Sequence, residues 1–158
     1  MTEIRFYHLT VSRLEQALPQ LLEKSLERGK RVLVMVDSEA RAEELTLQLW
    51  RYREESFLPH GNKNDGAPAA QPVWITAEDE NPNSAPYLFL TAGGQTEKLA
   101  DYELCALLFD GANGDLVKAA RQHWRSWKAD GHKLTYWQQD DHGRWAQKAT
   151  SEAYLGEN

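Results

Sequence analysis

The sequence holds one cysteine in 158 residues, and a single thiol excludes an intramolecular disulfide framework. It sits within LCALLF, so Cys105 reads as a core thiol rather than a nucleophile. Apolar runs are short as well, and none approaches the ~20 residues a membrane-spanning helix needs. The opening MTEIRFYHLT lacks the basic start and apolar run of an export signal. These shortages together lead to the expectation of a reducing, cytoplasmic setting. Net positive charge is missing too: 18 Lys and Arg stand against 24 Asp and Glu, a formal net charge of −6. An acidic whole opposes a generic nucleic-acid coat, because phosphate binding draws on clustered cations.

Catalytic constellations are equally scarce. His60, His123, His132 and His142 show no metal-ligand spacing with one another or with Cys105. There is no Gly-x-Ser-x-Gly elbow, and neither a metal nor a cofactor is expected. TAGGQTEK (Thr91 to Lys98) has a glycine pair after a strand, without the spacing of a P-loop or a dinucleotide fingerprint. FDGANGD places Asp110 and Asp115 at a strand end, where α/β folds often carry magnesium ligands. Both segments read more simply as turns.

What is present is an alternation of strand and helix patterns. Ile4 to Leu9 is rich in β-formers, and SRLEQALPQLLEKSLERG follows with a capping box at Ser12 and Glu15 and a stop at Gly29. Leu14, Leu18, Leu21, Leu22 and Leu26 form its apolar stripe, while Pro19 should kink that helix or restart it. Arg31 to Val36 has the nearly continuous apolar run of a strand covered on both faces. Asp37 or Ser38 caps the helix beyond it, with Ala42, Leu45, Leu49 and Trp50 turned inward. His60 to Pro72 is loop by composition. Val73 to Thr76, Tyr87 to Thr91 and Leu104 to Asp110 read as strands and Leu116 to Lys128 as a helix. KLTYWQQDDHGRWAQKA reads as strand, turn and strand. This order predicts one α/β domain over residues 1–150 and a tail at 151–158. Its sheet is mostly parallel, with helices on both faces and a hairpin-like C-terminal segment.

Two surfaces stand out. On the predicted basic helix, Lys118, Arg121, Arg125 and Lys128 recur at steps of three, four and three, which stacks them along one face. Val117, Ala120, Trp124 and Trp127 repeat those steps one position away. A groove edged by arginine and floored by an aromatic ring suits an extended acidic peptide with an apolar end. The second surface is LWRYREESFLPHGN, where Trp50, Tyr52, Phe57, Leu58 and Pro59 gather at a helix end and loop entry. Large aromatics in such a place are either tucked beneath the loop or presented to a protein partner.

At FYHL, GKRVLVMV, LWRYREESFLPHG and FDGANGDLVKAARQHWRSWKADGHKLTYWQQDDHGRWAQKA, the chain resembles the chi subunit family of the bacterial DNA polymerase III holoenzyme. The likeness is spread over nearly the whole chain. It implies an α/β fold with a largely parallel sheet and no catalytic activity. It also implies a surface for the acidic C-terminal tail of single-stranded DNA-binding protein, a peptide ending in Pro-Phe. The tail-binding run of the family matches Arg121, Trp124 and Arg125, with Lys128 in the same stripe. Trp124 stands where a tyrosine can occur, and Val117 stands where a further basic residue can occur, with Lys118 beside it. A second surface for the psi subunit of the clamp loader, or for another partner such as a helicase, matches Trp50 and Phe57, followed by Pro59 and His60. DNA is then reached indirectly, through the tail. Two other readings of the same residues are a direct single-strand binding module, using the Trp and Arg mixture, and a nucleotide-dependent enzyme using TAGGQTEK or FDGANGD.

Overall fold

The apolar runs of the sequence become the strands of one sheet. The computed structural model describes residues 2–51, 60–63, 66–91 and 93–150. Their order is β1 (Glu3–Leu9), α1 (Leu14–Glu27), β2 (Val32–Met35), α2 (Glu39–Trp50), β3 (Val73–Thr76), β4 (Tyr87–Leu90), β5 (Leu104–Asp110), α3 (Gly114–Ala129), β6 (Lys133–Gln139) and β7 (Trp145–Thr150). The sheet has seven strands in the order β3-β2-β4-β5-β1-β6-β7. All neighbours run parallel except β6 and β7, which pair antiparallel across the DDHG turn. This is the α/β architecture with a terminal hairpin that the sequence predicts.

Side-chain alternation divides the core between two faces. Tyr7, Val32, Val34, Ala106 and Leu108 meet Leu18, Leu21 and Leu22 of α1 and Ala42, Leu45 and Leu49 of α2. On the opposite face Ile4, Phe6, Leu33, Met35, Cys105, Leu107, Phe109 and Leu134 meet Ala120 of α3. Leu116, Val117, Trp124 and Trp127 pack against that second cluster while staying half-buried. Burying a large apolar side chain stabilises by about 1.5–3 kcal/mol, so the apolar stripe of α3 is what holds the helix to the sheet and leaves its basic stripe facing outward.

Local details depart from the sequence reading in places. The N-cap of α1 is Arg13, whose N–H donates to the Gln16 side chain at 3.0 Å; Ser12 and Glu15 do not form the box. Ser12 is occupied elsewhere: its N–H and hydroxyl both bond the side-chain amide of Gln139. α1 runs through Pro19 as one helix, because buried Ala17, Leu18, Leu21 and Leu22 hold it to the sheet on both sides of the missing donor. Ser38, one of two candidates, caps α2 by accepting from the Arg41 N–H at 3.2 Å. α3 starts two residues earlier than predicted, because Asn113 Oδ1 accepts from the N–H groups of Asp115 and Leu116.

Candidate functional site

α3 lies across the β5, β1 and β6 segment of the sheet, and a groove of about 390 Å³ opens along its margin. Val117, Ala120, Arg121, Trp124 and Arg125 line it from the helix, Phe6, His8, Phe109 and Tyr136 from the sheet, and Lys148 and Ala149 from β7. The lining contains no carboxylate. Four residues of the predicted tail-binding set, Val117, Arg121, Trp124 and Arg125, therefore meet in one place. Lys118 sits one step around the helix, in a neighbouring depression it shares with Arg121 and Arg125. Lys128 is half-buried in the last turn and does not line the groove.

The apolar floor is built from rings. Trp124 meets Phe6 edge-on, with centroids 5.2 Å apart and planes at 63°, and approaches Tyr136 at 6.4 Å. Trp127 also touches Phe6, at 5.7 Å, but stacks on His123 and lies outside the groove lining. Of the two tryptophans, Trp124 is the one that faces the groove. The His8 imidazole stacks on Phe109 at 4.9 Å, and its Nδ1 is hydrogen-bonded to the Tyr136 hydroxyl. Gly111 packs closely on the His8 ring: a Cβ there would run into that ring and the Leu9 carbonyl oxygen. That close approach gives the first glycine of FDGANGD a structural purpose.

Burial, followed by the charge of Arg121, holds His8 below the usual histidine range, with Asp110 opposing. Burial likewise pushes the Tyr136 phenol upward, and Arg121 opposes that shift. Both groups are thus neutral at physiological pH, and the groove's positive charge comes from its rim. Among the described residues, Arg121 and Arg125 have no ion-pair partner. By contrast Arg5, Arg13, Lys30, Arg41, Lys63 and Arg144 each pair with a carboxylate. Guanidinium groups without ion pairs above an apolar floor have the chemistry to hold an anion attached to an apolar group.

The remaining candidates fall in other settings. His60 is 4% exposed, and its Nε2–H donates to the Thr46 carbonyl at 3.1 Å, which ties the start of the loop to α2. Trp50 is the last residue of α2, while Phe57 and Pro59 lie outside the described residues. From TAGGQTEK, Thr96 Oγ1 donates to the Asp79 carboxylate at 2.6 Å and the Glu97 N–H at 3.1 Å, so these two donors are already taken by an acidic side chain. Asp110 Oδ1 accepts from the Ala112 N–H at 2.9 Å, and Asp115 belongs to the first turn of α3. Among the described residues no group of three or more His, Cys, Asp and Glu side chains could hold a metal ion, and no helix is long and apolar enough to cross a membrane. Sequence reasoning missed Phe6, His8, Phe109, Tyr136, Lys148 and Ala149, which strand pairing brings to the helix from distant parts of the chain.

Comparison with known proteins bears on the family of the chain. A protein of Rickettsia prowazekii named "probable DNA polymerase III subunit chi" is 31% identical over 99 residues, which is 63% of this chain and 60% of that protein. The match therefore spans less than two thirds of that relative's length. The Escherichia coli protein named DNA polymerase III subunit chi is 24% identical over 124 residues, 78% of this chain and 84% of that protein. Residues 1–135 match the family described as "DNA polymerase III chi subunit, HolC". With that much of its length inside the match, the chain belongs to the DNA polymerase III chi subunit family.

Proposed function

We propose that the protein is a non-catalytic accessory subunit of the bacterial replicative DNA polymerase III holoenzyme, and that its α3 groove binds the acidic C-terminal tail of single-stranded DNA-binding protein. The observation that carries this reading is the pair Arg121 and Arg125, without ion-pair partners among the described residues, at the rim of a carboxylate-free groove floored by Trp124, Phe6 and Phe109. The tail's terminal carboxylate takes a bidentate arginine, Arg121 or Arg125, and its Phe ring enters the aromatic floor. Lys118 and Lys128 add to the field that steers the peptide in. In this reading residues 1–150 are the working domain and 151–158 a tail. The segment with Trp50, Phe57, Pro59 and His60 is a second docking surface, for the psi subunit of the clamp loader or a helicase. The buried His60 at the end of that segment is itself held to α2 through the Thr46 carbonyl. The setting is the cytoplasm.

A short peptide with one aromatic anchor loses conformational entropy on binding, so affinity falls near the micromolar range, about −8 kcal/mol. Several tails on one DNA-bound oligomer raise the effective affinity without new contacts. The test is a fluorescence titration with an acidic peptide ending in Pro-Phe. Arg121→Ala or Arg125→Ala weakens binding by about tenfold or more, as loss of a charge-assisted hydrogen bond costs ~1.5–3 kcal/mol. Added salt weakens it further, and naked single-stranded DNA binds little. A titration unchanged by both substitutions and by deletion of the terminal Phe would overturn the assignment, and tight binding of naked strands would favour the nucleic-acid module.

A further inference from the structure

The far wall of the groove is β7, and β7 is irregular. Its pairing with β6 runs Thr135 to Thr150 and Tyr136 to Ala149, then steps to Trp137 opposite Gln147. Lys148 is the residue left without a partner, one extra residue between the pairs Tyr136–Ala149 and Trp137–Gln147, and this is the step of a β-bulge. In a regular strand two consecutive residues point to opposite faces; at a bulge they do not, and the extra side chain is re-aimed. Here both Lys148 and Ala149 line the groove. Lys148 is exposed and, like Arg121 and Arg125, makes no ion pair among the described residues. Its strand lies beyond residues 1–135, the stretch that matches the family.

From this geometry we infer that the β7 bulge makes Lys148 a specificity-determining residue of the groove, contacting the acidic side chains that precede the terminal aromatic residue of a bound peptide. The inference rests on the reading of the groove as a peptide site. The helix supplies arginines, whose planar forks match a carboxylate bidentately, and the strand across the groove supplies a compact ammonium. A point charge on a flexible stem suits side-chain carboxylates whose positions vary. Cations on both walls hold an acidic segment in line along the groove, whereas cations on α3 alone would grip it from one side. Selection against peptides that end in an aromatic residue but lack upstream acid follows from this arrangement.

The experiment compares wild-type protein with Lys148→Ala, Lys148→Glu, Arg121→Ala and Arg144→Glu. Arg144 is the charge control, since it lies on the same hairpin, is 75% exposed and pairs with Asp140 outside the groove. Each protein is titrated with three peptides: one acidic and ending in Pro-Phe, one with its Asp residues changed to Asn, and one with an amidated C-terminus. On the acidic peptide, Lys148→Ala weakens binding about threefold at low salt, as for an exposed ion pair, and Lys148→Glu about tenfold. Arg144→Glu has little effect. The Lys148→Ala penalty persists with the amidated peptide and vanishes with the Asn peptide. If Lys148→Glu matches wild type while Arg121→Ala loses binding, the groove is a peptide site and the Lys148 assignment is wrong. If the penalty vanishes on amidation and persists with Asn, Lys148 meets the terminal carboxylate, which also overturns the assignment. If wild-type protein binds none of the three peptides, the peptide-site reading fails and the inference fails with it.

Discussion

Replacing Gln139 with leucine removes a buried amide that ties the exit of β1 to the end of β6. Its Oε1 accepts from the N–H groups of Thr10, Val11 and Ser12 at 3.2, 3.1 and 3.0 Å, and its Nε2 donates to Ser12 Oγ at 3.0 Å and the Gly143 carbonyl at 3.2 Å. Leucine is close in volume and can make none of the five bonds. Thr10 and Val11 are exposed, so water recovers part of the loss. At the lower part of the ~0.5–1.5 kcal/mol net value per bond, the variant loses about 3 kcal/mol. With a urea slope near ~2 kcal/mol/M, the unfolding midpoint falls by about 1.5 M at unchanged slope. Ser12→Ala, which removes one hydroxyl partner, costs about 0.5–1 kcal/mol and sets the scale. A drop of about 0.3 M or less in the leucine variant would show that the amide network does not hold the two strands together.

Phe6 is 1% exposed and touches both Trp124 and Trp127. Phe6→Leu costs about 1–2 kcal/mol and shifts tryptophan emission to the red; unchanged emission would contradict the packing. Cys105 is fully buried, and burial pushes its thiol far up. It reacts with a thiol reagent only at the unfolding rate or through global opening, and fast labelling of native protein would refute this. Burial holds His8 and His123 below the usual histidine range, with Arg121 adding to the shift at His8. The unfolded chain then takes up those protons first, so this contribution is complete above the unfolded value of about 6.5 and is lost as pH falls through the folded values. His8→Gln shows a shallower loss of stability than wild type between about pH 7 and pH 5.5, and identical slopes would contradict the assignment.

The fold was legible because its signals are local. Short apolar runs bounded by turn residues became β2, β3, β4 and β5, and the Leu stripe of α1 became one wall of the core. The helical half of the groove was legible for the same reason: Arg121, Trp124 and Arg125 share a period that a single helix makes visible. The strand half was not. Phe6, Phe109 and Tyr136 lie more than a hundred residues apart at the extremes and meet only because β1 inserts between β5 and β6. Lys148 was hidden for a further reason, since regular alternation does not foresee a bulge and only the paired register exposes it. Local signals also lost to tertiary ones at the start of α1, where Gln139 claims Ser12, and at Pro19, where packing outweighs the ~3 kcal/mol local penalty.

The most direct test of the central claim is an amide and indole NMR titration of the protein with an acidic peptide ending in Pro-Phe. The groove reading predicts progressive shifts at Val117, Ala120, Arg121, Arg125 and Tyr136 and at the Trp124 indole, with no change around Glu39 and Lys63 at the far end of the sheet. Shifts confined to that far end, or no shifts at peptide concentrations well above the micromolar range, would contradict it.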